Sequence, residues 1–405
     1  MQKQIVMVHL PRRKGVVQRL KKTALVQHLK RTAAVQRLLS LYHELKFYVT
    51  FKKYNHGNEF HDYVCKLPFE YAEITSSGDI SVCCYLPKNM GNVNRAPFKK
   101  VWNSYFAKKL RKSMLDGSFS YCDKTKCRSM QNLDSNLIKK TEVQDDRLKE
   151  IIRKASVVLS PDLKTLSLGN DYSCNLECPS CRTGMRKMNK DEVLHQVAHF
   201  DSMLKDVGPK LELIHIAGDG DPFASQFYHS VITKTNWEKY PNLKIRFQTN
   251  GVALTEKKWG SLPAEVKKRV SDIGISIDGA SPATYEKLRL GGKFESLIRN
   301  IEFLANMPDK KTFGINLNLN MIVQEQNYRE IVQLVMLGKR LGVDKVSFTY
   351  LRDWGTFSEG EYARNAIHLP EHHEHSKLLE ILKDPILLDP AVDMGNLVHL
   401  MPKHS

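Results

Sequence analysis

The sequence predicts an α/β fold in which a mostly parallel sheet with crossover helices follows a small cysteine-rich segment. Between about residues 160 and 351, short apolar runs typical of strands alternate with longer stretches typical of helices. Such alternation is characteristic of parallel sheets. A polar or cysteine-containing motif follows each of the first four strand runs. Because binding sites of parallel barrels lie at the carboxyl ends of the strands, these motifs are the candidate functional residues.

The predicted strands lie near 164–169, 211–217, 243–248, 272–278, 314–323 and 345–350. The predicted helices lie between them, near 191–205, 224–233, 263–270, 295–307 and 327–341. Changes in composition divide the chain into four parts. They are a basic helical extension, a cysteine-rich module, the α/β core and a C-terminal extension, over residues 1–55, 56–150, 155–351 and 352–405.

The first part of the chain carries most of its positive charge. Residues 1–55 contain thirteen Lys or Arg against Glu44 alone, so they hold +12 of the formal net charge of +18. Three similar nine-residue units between 16 and 42 (VVQRLKKTA, LVQHLKRTA, AVQRLLSLY) predict one basic helix. Nine residues advance a helix by about two and a half turns, so successive units face opposite sides and no single apolar stripe forms. This pattern fits either an arm that docks an anionic partner or a solvated extension.

Composition and cysteine usage limit the class of protein. A chain of 405 residues with 41% apolar composition can form more than one hydrophobic core. The sequence has no apolar run near the ~20 residues of a membrane span, and no secretory signal is recognisable. We therefore expect a cytoplasmic protein. In such a chain the eight cysteines indicate metal ligands rather than disulfides.

Three of those cysteines lie within the stretch NDYSCNLECPSC, Asn170 to Cys181, where Cys174, Cys178 and Cys181 have C-x3-C-x2-C spacing. Three thiolates on one compact loop can bind three irons of a cuboidal iron–sulfur cluster and leave the fourth iron open. Structural zinc normally takes four ligands, and His195 falls on a predicted helix that faces elsewhere. Zinc binding and simple packing of buried thiols remain alternatives, although the loop is polar.

The segment CNLECPSC resembles the signature of the radical S-adenosylmethionine (radical SAM) enzymes. The resemblance implies a partial (β/α)6 TIM-like barrel in which Cys174, Cys178 and Cys181 hold a [4Fe-4S] cluster. The open iron would bind S-adenosylmethionine (SAM), whose reductive cleavage gives a 5′-deoxyadenosyl radical for hydrogen abstraction. Family members usually have an aromatic residue before the last cysteine, whereas this chain has Ser180.

Three further motifs resemble the SAM-binding segments of that family. GDGDP at 218–222 resembles its GGEP motif, with aspartate in place of the usual glutamate, and TNG at 249–251 resembles a segment that lines the pocket. SIDG at 276–279 resembles the positions that bond the SAM ribose. Each motif alone is compatible with a turn. The resemblance implies a SAM pocket formed by Gly218, Gly220, Asp221, Pro222, Thr249, Asn250, Ser276 and Asp278.

A second group of cysteines precedes the α/β core. The stretch Glu73 to Cys84 predicts a hairpin with a turn at Ser77-Gly78-Asp79 and a second strand that carries Cys83 and Cys84. Adjacent strand residues point to opposite faces, so both thiols would not face one metal site without a bulge. A helical stretch is predicted over Phe98 to Leu115, before the pair Cys122 and Cys127.

This region resembles the SPASM module, or its shortened twitch form, of many radical SAM enzymes. The spacing Cys65-x12-Gly78-x4-Cys83 matches its opening pattern. The resemblance implies an auxiliary [4Fe-4S] cluster with Cys65, Cys83, Cys122 and Cys127 as ligands, and zinc is the alternative. The module usually follows the catalytic domain, whereas here it precedes it.

The resulting functional hypothesis is a radical SAM enzyme that modifies a peptide or protein and takes electrons from a donor such as flavodoxin or ferredoxin. The alternatives are a carbohydrate, a nucleotide-linked metabolite or RNA as substrate, or an iron–sulfur protein without turnover. The tract HHEH at 372–375 could bind a metal, but its polarity favours a solvated surface segment.

Overall fold

The computed structural model describes residues 59–402, apart from 87, 125–126, 133–134, 217 and 354. The predicted basic helix at 16–42 lies outside the described residues. Those described belong to a single compact unit. The predicted boundary near 150–155 between the cysteine-rich module and the α/β core therefore remains a prediction.

The cysteine-rich module consists of short elements. Its strands are β1 (Tyr63–Cys65), β2 (Tyr71–Ile74), β3 (Asp79–Ser81), β4 (Gly91–Asn92) and β5 (Leu137–Lys139). Its α-helices are α1 (Leu67–Glu70), α2 (Phe98–Trp102), α3 (Tyr105–Leu115), α4 (Arg128–Asn132) and α5 (Asp146–Arg153), with a 3-10 turn at Lys140–Glu142.

The α/β core contains six strands with helices between them. The strands are β6 (Thr165–Leu168), β7 (Leu213–Ile216), β8 (Lys244–Thr249), β9 (Val270–Ser276), β10 (Asn316–Val323) and β11 (Lys345–Tyr350). The α-helices are α6 (Lys190–Val207), α7 (Gln226–Lys234), α8 (Glu256–Gly260), α9 (Ala264–Lys267), α10 (Pro282–Leu288), α11 (Phe294–Asn306), α12 (Pro308–Phe313) and α13 (Ile331–Leu341). Short 3-10 helices occur at Gly208–Lys210, Trp237–Lys239 and Tyr328–Glu330.

The C-terminal part adds helices and one more short strand. Its elements are α14 (Glu359–Asn365), α15 (His375–Ile381), β12 (Val392–Asp393) and 3-10 helices at Pro385–Leu388 and Gly395–Leu400. Strand β12 pairs in parallel with β11, so this extension continues the sheet.

Strands β6 to β11 pair in parallel in chain order, which confirms the predicted open, partial barrel. The cysteine-rich module is part of the same sheet. Strand β2 pairs in parallel with β6, with Tyr71 opposite Thr165 and Ile74 opposite Leu168. The ten-stranded sheet therefore runs from β12 through the barrel strands to β2, β3 and β4.

The two faces of the barrel sheet differ because successive strand side chains alternate between them. One face is apolar and fully buried, as at Ile245, Phe247 and Leu319. The other face carries polar residues and lines a cavity of about 260 Å³, with Gln248 and Asn320 among its lining residues. The barrel thus presents a polar concave surface below the carboxyl ends of its strands.

One local prediction for the module is wrong and two are confirmed. The predicted helical stretch Phe98–Leu115 is helical and divides into two helices, because Ser104 caps α3 by accepting a hydrogen bond from the Ala107 amide. The predicted turn at Gly78 is present, and its backbone is left-handed with φ +82°. However, β3 ends at Ser81, so Cys83 and Cys84 follow the strand instead of lying on it.

The histidine tract at 372–375 is also not a solvated segment. Both His372 and Glu374 are buried. Glu374 accepts hydrogen bonds from Tyr328 and Arg329, and His372 contacts the Arg364 carbonyl at 2.8 Å. The tract therefore fixes the C-terminal extension against the barrel. Within the described residues, no helix is long and apolar enough to cross a membrane.

Candidate functional site

The loop that follows β6 carries the three signature cysteines at the carboxyl end of the barrel. Cys174 and Cys178 are buried, whereas Cys181 is exposed. The Cys181 amide donates to the Cys178 carbonyl at 3.0 Å, so the end of the loop turns tightly. Burial raises the pKa of the Cys174 and Cys178 thiols. Metal binding would have to offset this effect, because thiolate is the form that binds metals.

Each of the three sulfurs contacts an N–H donor, two of which lie far away in sequence and one on the adjacent residue. Asn250, at the end of β8, lies 3.6 Å from the Cys174 sulfur through its Nδ2 atom. Two arginines contact the other sulfurs: Arg289 Nη1 is 3.7 Å from Cys178 Sγ, and Arg182 Nη2 is 3.6 Å from Cys181 Sγ. Hydrogen bonds from cationic groups stabilise thiolates. The donor set therefore fits a cluster bound through three thiolates.

The side chains of this site bear on the choice between a single metal ion and an iron–sulfur cluster. Among the described residues, no group of three His, Cys, Asp or Glu side chains is arranged to hold one metal ion. A cuboidal cluster has a different requirement, because each thiolate binds a separate iron. The loop after β6 meets that requirement with three cysteines close in sequence and one N–H donor per sulfur.

The GDGDP loop after β7 packs tightly against the backbone of the cysteine loop. A Cβ atom on Gly220 would lie 2.5 Å from the Asp171 and Ser173 carbonyl oxygens. Gly218 has φ +118°, and a Cβ atom there would lie 2.4 Å from the Gly169 Cα. Glycine is therefore required at both positions so that the two loops can approach each other.

Asp221 links the GDGDP loop to the TNG segment. Its carboxylate accepts hydrogen bonds from the Thr249 hydroxyl at 2.7 Å and the Asn250 amide at 2.8 Å. The Phe223 amide donates to the other carboxylate oxygen at 2.9 Å. Burial raises the pKa of Asp221, and these hydrogen bonds oppose that effect. The carboxylate is thus occupied by protein donors and fixes the position of Asn250, which contacts the Cys174 sulfur. Its neighbour Pro222 is buried.

The SIDG segment places Ser276 and Asp278 at the end of β9 in different surroundings. The Ser276 hydroxyl accepts a hydrogen bond from Gln248 at 2.8 Å on the polar face of the sheet. Asp278 is buried and pairs with Arg289 at 2.8 Å, and it also accepts from the Ile322 amide at 2.7 Å. Its φ of +54° is unusual for a residue with a side chain, and such strain is often found at functional sites.

Sequence reasoning missed the two arginines and one aspartate that shape the site. Arg182 directly follows the last cysteine, and this adjacency was a usable signal. Arg289 lies at the end of α10, more than one hundred residues from Cys178, and no local pattern indicates their contact. Asp171 is fully buried and accepts from the Ser173 amide at 2.6 Å, which bends the loop before Cys174.

The five cysteines of the module line one cavity of about 370 Å³. They come from separate segments: Cys65 ends β1, Cys83 and Cys84 follow β3, and Cys122 and Cys127 precede α4. Burial raises the pKa of the Cys122 thiol. The structure therefore brings all four predicted ligands of the auxiliary site to one cavity, together with Cys84.

Cys83 and Cys84 occupy different environments within that cavity. The Cys83 sulfur accepts a hydrogen bond from the Tyr85 amide at 3.4 Å. The sulfur of Cys84 instead lies 3.4 Å from Arg352 Nη1 of the barrel. A hydrogen bond from Cys83 and the charge of Arg352 both lower the pKa of the Cys84 thiol. The expectation that the two thiols occupy opposite faces of a strand was wrong, because neither cysteine lies on the strand.

Comparison with known proteins finds one matching domain family and several related proteins of similar sequence. The SPASM family, an iron–sulfur cluster-binding domain, matches residues 65–129. The mycofactocin maturase MftC of Mycolicibacterium smegmatis is 26% identical over 190 residues, which cover 45% of this chain and 43% of the relative. The PqqA peptide cyclase of Methylorubrum populi is 22% identical over 213 residues, which cover 52% of this chain and 51% of the relative.

Among solved structures, Streptococcus suis SuiB bound to S-adenosylmethionine has a TM-score of 0.39 at 14% identity, covering 75% of this chain and 65% of that one. The enzyme anSMEcpe with bound AdoMet and a peptide also has a TM-score of 0.39, at 21% identity, with 54% and 58% covered.

These matches confirm the resemblance to the radical SAM enzymes that carry a SPASM module. The residues that match the SPASM iron–sulfur cluster-binding domain, 65–129, precede the barrel in this chain. The chain spans about half the length of the curated relatives that it matches.

Proposed function

We propose that this protein is a radical SAM enzyme that modifies a peptide or protein substrate. One observation carries the proposal: three thiols at the carboxyl end of a parallel barrel each contact an N–H donor, two of which come from other elements and one from the residue after Cys181. That arrangement fits a [4Fe-4S] cluster held by Cys174, Cys178 and Cys181. When bound, the cluster supplies the electron that cleaves SAM and yields the 5′-deoxyadenosyl radical for hydrogen abstraction.

The residues around the cysteines would bind and orient the two cofactors. Hydrogen bonds and positive charge near cluster sulfurs raise the reduction potential, which gives Arg182, Arg289 and Asn250 a role in setting it. We assign the SAM pocket to the GDGDP, TNG and SIDG segments: Gly218, Gly220, Asp221, Pro222, Thr249, Asn250, Ser276 and Asp278. Within this set Asp221 and Asp278 act as positioning residues, because Asp221 accepts hydrogen bonds from Thr249 and Asn250, and Asp278 accepts one from the Ile322 amide and is ion-paired with Arg289.

The module would hold an auxiliary [4Fe-4S] cluster through Cys65, Cys83, Cys122 and Cys127, which share a cavity. A flavodoxin or ferredoxin would supply electrons in the cytoplasm. A peptide substrate is supported by the relative that is named a PqqA peptide cyclase, and modification of a substrate by the relative that is named a mycofactocin maturase. The polar concave face of the barrel is suited to hydrogen bonding with such a substrate.

The test is anaerobic formation of 5′-deoxyadenosine from SAM by the reconstituted protein. Cys178→Ala removes a cluster ligand and should abolish product formation. Ser180→Ala is the matched control, because it alters the same loop and leaves all three thiols in place. A Cys178→Ala variant that forms 5′-deoxyadenosine at the wild-type rate would refute the assignment. Mass analysis of candidate peptides from neighbouring genes would then test the substrate class.

A further inference from the structure

We propose that His195 and His199 form a chelating site for a late first-row divalent metal ion, such as Ni²⁺, Cu²⁺ or Zn²⁺, on the surface of α6. Both residues lie within Lys190–Val207 and are one turn apart. Their Nε2 atoms are 3.2 Å apart and their ring centroids are 4.4 Å apart. Histidines at positions i and i+4 lie on one helix face and bind metals together in many proteins.

The distance between the two nitrogens matches metal coordination. Bonds from zinc to imidazole nitrogen are about 2.0–2.1 Å long, so two nitrogens 3.2 Å apart subtend roughly 100° at a shared ion. That angle lies between the octahedral and tetrahedral values. A single ion therefore bridges His195 and His199 with little side-chain movement. Imidazole suits nickel, copper and zinc, and affinity for divalent ions rises along the series towards copper.

The two imidazoles are also available for an ion. Within the described residues, the two rings hydrogen-bond to each other and to no other side chain. His195 is exposed, so an ion can enter from solvent.

The helix that carries the pair is held in place independently of the metal. Asn189 and Glu192 form a capping box at its start, and its opposite face buries Phe200. Such preorganisation reduces the entropy that binding costs. His199 also lines a cavity of about 350 Å³ between α6 and the segment 93–98. The remaining coordination positions therefore face solvent or a ligand in that cavity.

The experiment measures nickel retained by the untagged, cluster-loaded protein after anaerobic equilibrium dialysis against Ni²⁺, with iron counted in the same samples. The wild type should hold one more nickel per chain than His195→Ala/His199→Ala, at unchanged iron content. Each single variant should bind nickel roughly 10²-fold more weakly, because chelation is lost. His195→Gln, which keeps a polar side chain, should show the same weaker nickel binding and replaces the alanine variant if that variant unfolds.

The matched control keeps the number of histidines but separates them. In His199→Ala/Asp201→His, the second imidazole lies about 240° around the helix from His195 and cannot share an ion with it. This variant should bind nickel as weakly as His199→Ala. Equal nickel retention by the wild type and the double alanine variant, or wild-type affinity in the relocated variant, would overturn the proposal.

Discussion

At the scale of single residues, Arg289 connects the parts of the candidate site. It is close to both the Asp278 carboxylate and the Cys178 sulfur. Its buried charge offsets the charge of Asp278, and removal of one member of a buried ion pair leaves the other uncompensated. The residue thus couples the end of β9 to the cysteine loop.

We predict that Arg289→Met destabilises the protein by about 3–5 kcal/mol, because Asp278 remains buried without its partner. Anaerobic urea unfolding measures the change. Arg299→Met, at an exposed position of α11, serves as the control and should change stability by less than about 0.5 kcal/mol. If both variants unfold at the same urea concentration as the wild type, the ion pair does not stabilise the site.

A second residue-scale prediction concerns how the stability of the folded protein depends on pH. The ring of His368 stacks on Tyr350 with centroids 4.1 Å apart, and burial lowers its pKa from 6.5 to about 4. Between these values the unfolded chain binds a proton that the folded protein does not. Stability should therefore fall as the pH decreases through this window, by about 1 kcal/mol from pH 7 to 5.5 for this group.

Urea midpoints measured over that range test this origin of the pH dependence. His368→Phe should show a shallower loss of stability at low pH, whereas His373→Gln, at an exposed position, should keep the wild-type slope. Equal slopes in the wild type and His368→Phe would contradict the prediction.

At the scale of elements, the sequence predicts the barrel well because its signals are local. Each of the six core strands was located from a short apolar run. The break before α3 was missed although Ser104 is a typical capping residue. The contacts of Arg289 and Arg352 could not be predicted, since they join residues more than one hundred positions apart.

Arg352 illustrates how such a contact links two elements. It follows β11 at one side of the open barrel, and its guanidinium lies 3.4 Å from the Cys84 sulfur and 4.4 Å above the Tyr85 ring. Cys84 and Tyr85 belong to the module at the other side. A second link, Arg128 with Asp393 at 3.3 Å, joins α4 to β12. The module therefore closes the gap that the six barrel strands leave.

We predict that Arg352→Met loosens this junction and destabilises the protein by about 1–2 kcal/mol, because a cation–π contact and a charged hydrogen bond are lost. Limited proteolysis should then cleave the segment 82–86 faster than in the wild type, while iron content is retained. Arg364→Met, an exposed change on α14, is the control. Unchanged cleavage in Arg352→Met would show that other contacts close the barrel.

At the scale of the whole molecule, the two groups of cysteines predict two separate clusters and about eight irons per reconstituted chain. Replacement of Cys174, Cys178 and Cys181 together should leave about four, held by the module. Cys83→Ser should also leave about four, whereas Cys84→Ser should keep about eight, because Cys84 faces Arg352. Loss of iron from the Cys84 variant would instead show that Cys84, rather than Cys83, is a ligand of the auxiliary cluster. Zinc bound in the module would exclude a second iron–sulfur cluster.

The pairing of β2 with β6 also determines when the sheet can be completed during synthesis. About ninety residues separate Ile74 from Thr165, and ribosomes add roughly 5–20 residues per second. One edge of β2 therefore stays without its parallel neighbour for some 5–18 seconds after it is made. During this interval its unpaired amides and carbonyls can join another nascent chain. The early position of the module thus leaves this strand edge open to mispairing until β6 emerges.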